Sequence, residues 1–337
     1  FTRVTEAPTL FRPQNPIEPY PYLSREISTL HPDGHVLAGT LTVPNGEGPF
    51  ACAVLISGSG QQDRNETLMG HQPFLVLSDY LTRHGIAVLR YDDRGVGGST
   101  MENTDDLRNA TSEDFASDAM AMIRAARLHS DINPRLVGVV GHSEGGLIGP
   151  MLADEDGKLG FVVMLAGPGV PGYELLPLQQ AMILESIGVE QELIDNTVNA
   201  SMSLYELMMG GALEEQLREQ VYEVAQIQFE AMGLSMPEAE FDEMVEEAFQ
   251  ETTNPWLQFF LFYDPAPVLA KLTCPVLAMN GTLDVQVSSR QNLPSIEKAI
   301  RRAGGDITIV ELEGLNHLFQ PATTGAVSEY MTIETTF

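Results

Sequence analysis

The pentapeptide at residues 141–145 follows the pattern Gly-x-Ser-x-Gly and reads Gly-His-Ser-Glu-Gly. An apolar run typical of a buried strand precedes it, and a helical pattern follows it. In such a strand–turn–helix the serine occupies the apex of a sharp turn with its hydroxyl exposed, and the flanking glycines avoid a collision of side chains. The free N–H groups at the start of the helix point to the same place. The context therefore predicts a catalytic nucleophile at Ser143 rather than a glycine-rich turn without chemistry.

A serine hydroxyl needs a general base to act as a nucleophile at neutral pH. Along the chain, a nucleophile elbow of this kind is followed first by an acid and then by a histidine, each after a later strand. Asp284 lies just past the predicted strand 275–279, and His317 lies just past the predicted strand 307–312. We therefore expect His317 to take the proton from the nucleophile and Asp284 to fix the tautomer of the imidazole.

Other histidines and acids are weaker candidates for these two roles. Five of the six remaining histidines lie in an early hairpin region or in or beside predicted helices. The sixth, His142, adjoins the nucleophile, and we expect its side chain to point elsewhere. Asp264 stands at a predicted helix start, where an acid has an ordinary capping role, and it is the second choice for the acid.

The reaction also needs donors for the oxyanion that forms on the substrate carbonyl. The backbone N–H after the nucleophile, that of Glu144, is expected to be one donor. The loop after the predicted strand 51–57 reads Ser-Gly-Ser-Gly-Gln-Gln-Asp-Arg and should supply the other, best from Ser59, with Gly60 or Gln61 as alternatives. No Gly-Lys-Ser/Thr follows these glycines, which argues against a phosphate-binding loop.

The elements that must position these residues alternate between strand and helix. Continuous apolar runs, typical of strands buried on both faces, are separated by amphipathic helical patterns. The predicted strands are 26–30, 36–43, 51–57, 86–91, 136–140, 161–165, 275–279 and 307–312. The predicted helices are 74–84, 112–129, 144–154 and 289–303. This alternation predicts an α/β protein with a mainly parallel eight-stranded sheet flanked by helices.

One long segment, residues 172–262, interrupts the alternation. It has no strand pattern and reads as helices, with eighteen acidic residues, one arginine and no lysine. We expect an α-helical cap over the active site, because the segment leaves from a strand end where loops face the site. An ordinary helical subdomain with an acidic face is the alternative. The cap would be inserted into a core formed by 24–171 and 263–337, and the proline-rich residues 1–23 would form an extended arm.

Aromatic residues are concentrated where this segment rejoins the core. Trp256, Phe260 and Tyr263 are candidates for substrate binding, together with methionines of the segment, which adapt to varied shapes. Packing between cap and sheet is the ordinary explanation for most residues of such a cluster.

The composition is strongly acidic, with 18 Lys and Arg against 47 Asp and Glu and a formal net charge of −29. This charge disfavours nucleic acid, anionic membranes and polyanionic substrates. It is typical of a protein kept soluble by its charge, with adaptation to high salt as the alternative. No stretch of eighteen apolar residues occurs, so no membrane span is expected.

The two cysteines, Cys52 and Cys274, lie in apolar strands, outside any CxxC motif or Cys/His cluster. We expect buried free thiols and no metal site. The chain begins at Phe1 rather than Met, which indicates a removed start, and no signal-peptide pattern remains. Neither the compartment nor the oligomeric state is predicted.

Six segments, taken in order, resemble bacterial carboxylesterases of the α/β-hydrolase fold. They are 37–44 (LAGTLTVP), 57–64 (SGSGQQDR), 89–99 (LRYDDRGVGGS), 141–145 (GHSEG), 280–284 (NGTLD) and 315–317 (LNH). The resemblance extends from about residue 12 to the C-terminus and implies a Ser143–Asp284–His317 triad, an acyl-enzyme, no metal and no organic cofactor. It also implies that the Asp and Arg of segment 91–95 brace a loop near the site. One departure is Ser57-Gly58, where many relatives have His-Gly.

These inferences predict a serine hydrolase acting on small neutral esters with short to medium acyl chains. A peptide or amide hydrolase, a thioesterase or an acyltransferase would use the same triad and the same acyl-enzyme. A non-catalytic binding protein on a hydrolase fold is a further alternative.

Overall fold

An eight-stranded sheet lies at the centre of the computed structural model, which describes residues 12–101, 103 and 107–337. The strands are β1 (Leu23–Leu30), β2 (Val36–Val43), β3 (Phe50–Ile56), β4 (Ala87–Tyr91), β5 (Ile132–His142), β6 (Val162–Leu165), β7 (Val276–Gly281) and β8 (Ile307–Leu312). Their order across the sheet is β1-β2-β4-β3-β5-β6-β7-β8. The pairs β1–β2 and β2–β4 are antiparallel. The other five pairs are parallel, namely β4–β3, β3–β5, β5–β6, β6–β7 and β7–β8. The carboxyl ends of the parallel strands therefore meet at one edge of the sheet.

Helices cover the sheet and fill the long segment between β6 and β7. They are α1 (Pro73–Arg83), α2 (Ser112–Leu128), α3 (Glu144–Asp156), α4 (Gly172–Ser186), α5 (Gln191–Met209), α6 (Glu214–Ala231), α7 (Glu238–Thr252), α8 (Pro255–Phe262), α9 (Ala266–Leu269) and α10 (Ser289–Arg302), followed by a 3-10 helix (Val327–Met331). Among the described residues, no helix is both long and apolar enough to cross a membrane.

The central strands are buried on both faces, because successive side chains of a strand point to opposite sides of the sheet. Val54 of β3 packs in a cluster with Ile123 of α2, whereas the neighbouring Leu55 packs on the other face with Phe74 of α1. This two-sided burial explains why the strands read as continuous apolar runs.

Between β6 and β7, residues 172–262 form the helices α4 to α8, as their sequence predicts, and the short helix α9 follows them. Leu204, Val221 and Phe249, one each from α5, α6 and α7, form a small apolar cluster of their own. A division into arm, core and cap stays a prediction. Residues 12–22, within the expected arm, have irregular backbone, and residues 1–11 lie outside the described residues.

The α/β fold with a mainly parallel eight-stranded sheet is confirmed, and all eight predicted strands are present. The largest difference lies in β5, which begins at Ile132, four residues before its predicted start. Residues 133–135 of this strand are Asn, Pro and Arg, and Pro134 and Arg135 are exposed, so no apolar run marks the beginning of the strand.

Candidate active site

Ser143 lies at the tight turn between β5 and α3. Its backbone has φ +52° and ψ −118°, which L residues rarely adopt, and its N–H donates to the Leu165 carbonyl at 2.8 Å. A Cβ added to Gly141 would lie 1.9 Å from the Gly145 carbonyl oxygen, and one added to Gly145 would lie 2.1 Å from the Ile56 carbonyl oxygen. Both glycines are therefore required by the turn, which holds a half-buried Ser143 at the carboxyl edge of the sheet.

Asp284 and His317 meet at the same edge, in the loops after β7 and β8. His317 Nδ1 lies 2.8 Å from Asp284 Oδ2, and both side chains are buried. The other carboxylate oxygen, Oδ1, accepts the backbone N–H groups of Gln286 and Val287, both at 2.8 Å. Because the carboxylate is an acceptor, Nδ1 of His317 carries the proton and Nε2 keeps its lone pair, which is the tautomer that a general base needs.

The loop after β8 is held by Asn316, which is fully buried. Asn316 Oδ1 accepts the N–H groups of Leu318 and Gln320 at 3.0 Å and 2.9 Å, and its Nδ2 donates to Gln320 Oε1 at 3.0 Å. The loop also packs directly on β7, since a Cβ added to Gly281 would lie 2.1 Å from the Leu315 carbonyl oxygen. These contacts fix the backbone on both sides of the histidine.

The elbow and the loop after β8 contact each other through His142. His142 Nε2 lies 3.0 Å from the His317 carbonyl oxygen, and the two imidazole rings are 4.7 Å apart. The expectation that the His142 side chain points away from the site is therefore wrong.

In the described part of the chain, the Ser143 hydroxyl makes no hydrogen bond to the His317 imidazole. Bonds between nucleophile and base are often long before substrate binds.

The loop after β3 approaches the nucleophile at Gly58. A Cβ added to Gly58 would lie 3.2 Å from Ser143 Cβ. The next residue, Ser59, is exposed and was expected to provide an oxyanion donor. Glu144, the other expected donor, is the first residue of α3, and its N–H belongs to the first turn, where a helix offers no acceptor. The loop and the helix start thus flank Ser143.

Two neighbouring aspartates after β4 brace this loop, as the resemblance implies. Asp93 Oδ2 accepts the Gln62 N–H at 2.9 Å, and both of its oxygens lie 3.2 Å from Ser57 Oγ. Asp92 Oδ1 accepts the backbone N–H of Arg64 at 2.8 Å, and Asp92 Oδ2 accepts from the guanidinium at 2.7 Å. Arg94, expected to share this role, instead binds elsewhere, to a carboxylate of α2.

The side chain of Glu144 is buried in a network that sequence analysis missed. Its Oε1 accepts from Ser112 Oγ at 2.6 Å and from Trp256 Nε1 at 2.8 Å. Burial raises the pKa of this carboxyl, and hydrogen bonds from Ser112, Trp256 and Ser59 oppose the rise. Glu144 therefore links the start of α3 to α2 and to α8 of the helical segment.

A cavity of about 810 Å³ opens beside this network. Gly60 and Gln61 line one side of it, Phe115 of α2 lies along it, and Trp256 lines the side formed by the helical segment. Of the three aromatic residues proposed for substrate binding, only Trp256 lines this cavity. Phe260 is buried and stacks on Trp256 with ring centroids 5.5 Å apart, and Tyr263 stacks on Phe259 at 5.1 Å.

A second cluster of titratable residues joins the β1–β2 turn to α2. His31, His35 and Asp118 are buried and close enough to share a cation. Asp118 is already held by Arg94, whose Nε lies 2.6 Å from Oδ2, and that positive charge opposes a metal ion. His35 Nε2 lies 2.8 Å from Asp118 Oδ1, and His31 Nε2 lies 2.9 Å from Ser117 Oγ. Hydrogen bonding therefore accounts for this cluster.

A profile of the alpha/beta hydrolase family matches residues 53–328. The esterase EstD of Thermotoga maritima is 27% identical over 282 residues, which are 84% of this chain and 58% of EstD. This chain thus spans less than two thirds of the length of that relative.

Solved structures share the fold at low sequence identity. Est1E of Butyrivibrio proteoclasticus is 14% identical with a TM-score of 0.51, covering 87% of this chain and 90% of its own. An acylaminoacyl peptidase of Pyrococcus horikoshii is 12% identical with a TM-score of 0.51, covering 88% of this chain and 38% of its own. With the matched profile spanning most of the sequence, this chain belongs to the alpha/beta hydrolase family.

Proposed function

We propose that this protein is a serine hydrolase that cleaves small neutral carboxylic esters through an acyl-enzyme. The observation that carries the proposal is the backbone-anchored Asp284–His317 pair beside the strained Ser143 turn. Backbone strain is found preferentially where a side chain must be presented for chemistry. The likeness to EstD, an esterase, supports ester hydrolysis over other acyl chemistry.

The first half-reaction acylates Ser143. Its Oγ attacks the ester carbonyl carbon while His317 Nε2 takes the hydroxyl proton, and Asp284 stabilises the imidazolium. The carbonyl oxygen becomes an oxyanion, which the N–H groups of Glu144 and Ser59 stabilise. The C–O bond to the alcohol then breaks, the alcohol oxygen takes the proton from His317, and an ester on Ser143 remains.

The second half-reaction releases the acid. Water attacks the acyl carbon while His317 Nε2 takes one of its protons. The bond to Ser143 Oγ breaks, and the proton returns from His317 to that oxygen. Atoms and charges balance without a metal or an organic cofactor, in keeping with the cofactor-free mechanism that the resemblance implies.

Charge and shape support a small neutral substrate. The cavity beside the elbow is bounded by Trp256 of the helical segment, which would act as a cap over the site. Residues 172–262 carry eighteen acids against one arginine. An anionic substrate would meet negative potential on this side of the site.

The experiment that tests the proposal combines active-site labelling with a substrate series. A fluorophosphonate probe should label the wild-type protein, and Ser143→Ala should abolish both the labelling and the hydrolysis of p-nitrophenyl esters. Ser203→Ala, an exposed serine of α5, is the matched control and should change neither. Retained hydrolysis in Ser143→Ala would exclude the proposed nucleophile.

The substrate series separates ester from peptide chemistry. p-Nitrophenyl esters of graded acyl length should be cleaved with the highest kcat/KM among the shorter chains. An aminoacyl anilide should be cleaved far more slowly. A preference for the anilide would instead favour a peptidase, the activity named for one of the structural neighbours.

A further inference from the structure

A buried acid, Glu66, connects the three segments that carry the proposed chemistry. Its Oε1 accepts the N–H of Gly58, in the loop after β3, at 2.7 Å. The same oxygen lies 2.8 Å from Nδ1 of His142, in the elbow. Nε2 of His142 lies 3.0 Å from the carbonyl oxygen of His317, in the loop after β8. The chain of contacts therefore runs from the oxyanion side of the site to the base.

The partners of His142 determine its charge. Nε2 faces a backbone carbonyl, which can only accept, so Nε2 carries a proton. Nδ1 faces the carboxyl of Glu66, and an imidazole is ordinarily a stronger base than a carboxylate. The Gly58 N–H also favours the carboxylate. His142 is therefore an imidazolium paired with a carboxylate.

Glu66 is held in this place at a conformational cost. Its φ is +54°, in the left-handed region, and the residue is only 4% exposed. Left-handed backbone is energetically unfavourable in a residue other than glycine and persists where the surroundings require it. Met69, Ser143, Ala166 and Phe319 also have positive φ. Of these, Ser143 is the proposed nucleophile, and Phe319 lies two residues after the proposed base.

The surroundings of the pair are otherwise apolar. Phe74, Leu165 and Phe319 line the small space around it. The titratable groups that face His142 are Glu66, Asp284 and His317, and their balance raises the pKa of His142 despite its burial. The pair keeps the local charge neutral.

We propose that Glu66 and His142 form a buried ion pair that positions the loop after β3 and the His317 loop for acyl transfer. Both are positioning residues, since they act through Gly58 and His317. The inference rests on the proposed function, because it assigns these residues to the same reaction.

The first test is Glu66→Gln, which keeps the size of the side chain and removes its charge. His142 should then lose a proton within the working pH range and with it one of its hydrogen bonds. The ratio of the variant kcat to the wild-type kcat should fall about 10- to 100-fold as the pH rises from 6 to 9, with KM unchanged. Glu297→Gln, in an exposed pair with Arg301, is the matched control and should give a flat ratio. A flat ratio for Glu66→Gln would overturn the proposal.

The second test is His142→Phe, which keeps a ring and removes both donors. If the two residues act as one pair, the double variant should lose no more activity than the poorer single variant. Additive losses would show that they act separately and would contradict the proposal.

The third test uses the wild-type protein and does not depend on activity. Nitrogen-15 spectra of the histidine side chains should show His142 with protons on both ring nitrogens at pH 8. The His142 signals are assigned by their absence in His142→Phe or by their contacts. An ordinary titration near pH 6.5 would refute the ion pair.

If Ser143→Ala stays active, the proposed function fails, whereas the charge state of His142 is unaffected. If Ser143→Ala is inactive but His142 is neutral, only the ion pair fails.

Discussion

At the scale of single residues, Asp284 and Asp93 are two buried carboxyl groups with different hydrogen-bond partners. Asp284 accepts two backbone N–H groups and the proton of His317. Burial raises the pKa of Asp93 to about 7, although the Gln62 N–H and the Ser57 hydroxyl oppose the rise. The hydrogen bonds of Asp284 suit a carboxylate that lies next to an imidazolium. Asp93 braces a loop in either protonation state.

Asp284→Asn tests the role of the orienting acid. The amide nitrogen would donate to His317 Nδ1 and force the proton onto Nε2, so the imidazole could no longer take a proton from serine. We expect kcat to fall about 10⁴-fold with the fold intact. Asp264→Asn is the control, since Asp264 caps an exposed turn by accepting the Ala266 N–H at 2.9 Å. Equal losses in the two variants would contradict the assignment.

Asp93 should make stability depend on pH. Its folded pKa lies above the unfolded value near 3.8, so the native state binds more protons. Its contribution to stability is therefore complete below the unfolded value and is lost as the pH rises through about 7. Relative to Asp93→Asn, the wild type should lose roughly 2 to 3 kcal/mol between pH 5 and pH 8. Urea unfolding of both proteins at the two pH values measures this. A difference that does not change with pH would show that Asp93 is ionised throughout.

At the scale of elements, the turn between β5 and α3 depends on glycine. In Gly145→Ala the new Cβ would lie 2.1 Å from the Ile56 carbonyl oxygen, so β3 or α3 must move. We expect the variant to be unfolded or destabilised by at least 3 kcal/mol, measured by urea unfolding. Gly149→Ala, in the same helix, adds a Cβ 3.3 Å from an apolar Val162 atom and should be tolerated. Similar stability of the two variants would disprove the steric argument.

The contact between α8 and the elbow rests on the indole of Trp256. Trp256→Phe removes the donor to Glu144 Oε1 and leaves the stack on Phe260. We expect KM for esters to rise about 10-fold, because a wall of the cavity loses its anchor, and stability to fall about 1 kcal/mol. Phe262→Leu, a partly exposed position of the same helix, should leave KM unchanged. An unaltered KM in Trp256→Phe would show that α8 takes no part in substrate binding.

At the scale of the whole molecule, the net charge of −29 opposes the compact state. Salt screens this repulsion over about 10 Å at 0.1 M. We expect Tm to rise by several degrees between 0.02 M and 0.3 M NaCl, as measured by calorimetry. Replacing exposed glutamates of α7 by glutamine should flatten the response. A Tm that stays constant in the wild type would show that the charges are already spaced widely enough not to interact.

The sequence by itself determined the fold class and the order of the chemical groups. Apolar runs reveal strands buried on two faces, and the glycines at 141 and 145 reveal the turn, because both signals are local. The pairing of Asp284 with His317 was predictable from their places after neighbouring strands. The start of β5 was not, since residues 133–135 include exposed and polar side chains and leave no apolar run.

Only the tertiary structure decided which polar side chains support these groups. Glu66 and Glu144 stand in no periodic pattern, and each is defined by partners from distant parts of the chain. A hydrogen bond between residues far apart in sequence leaves no local signal, whereas the burial of an apolar face leaves a repeat of fixed period. For the same reason His142 was misjudged, because its direction is set by an acid 76 residues away.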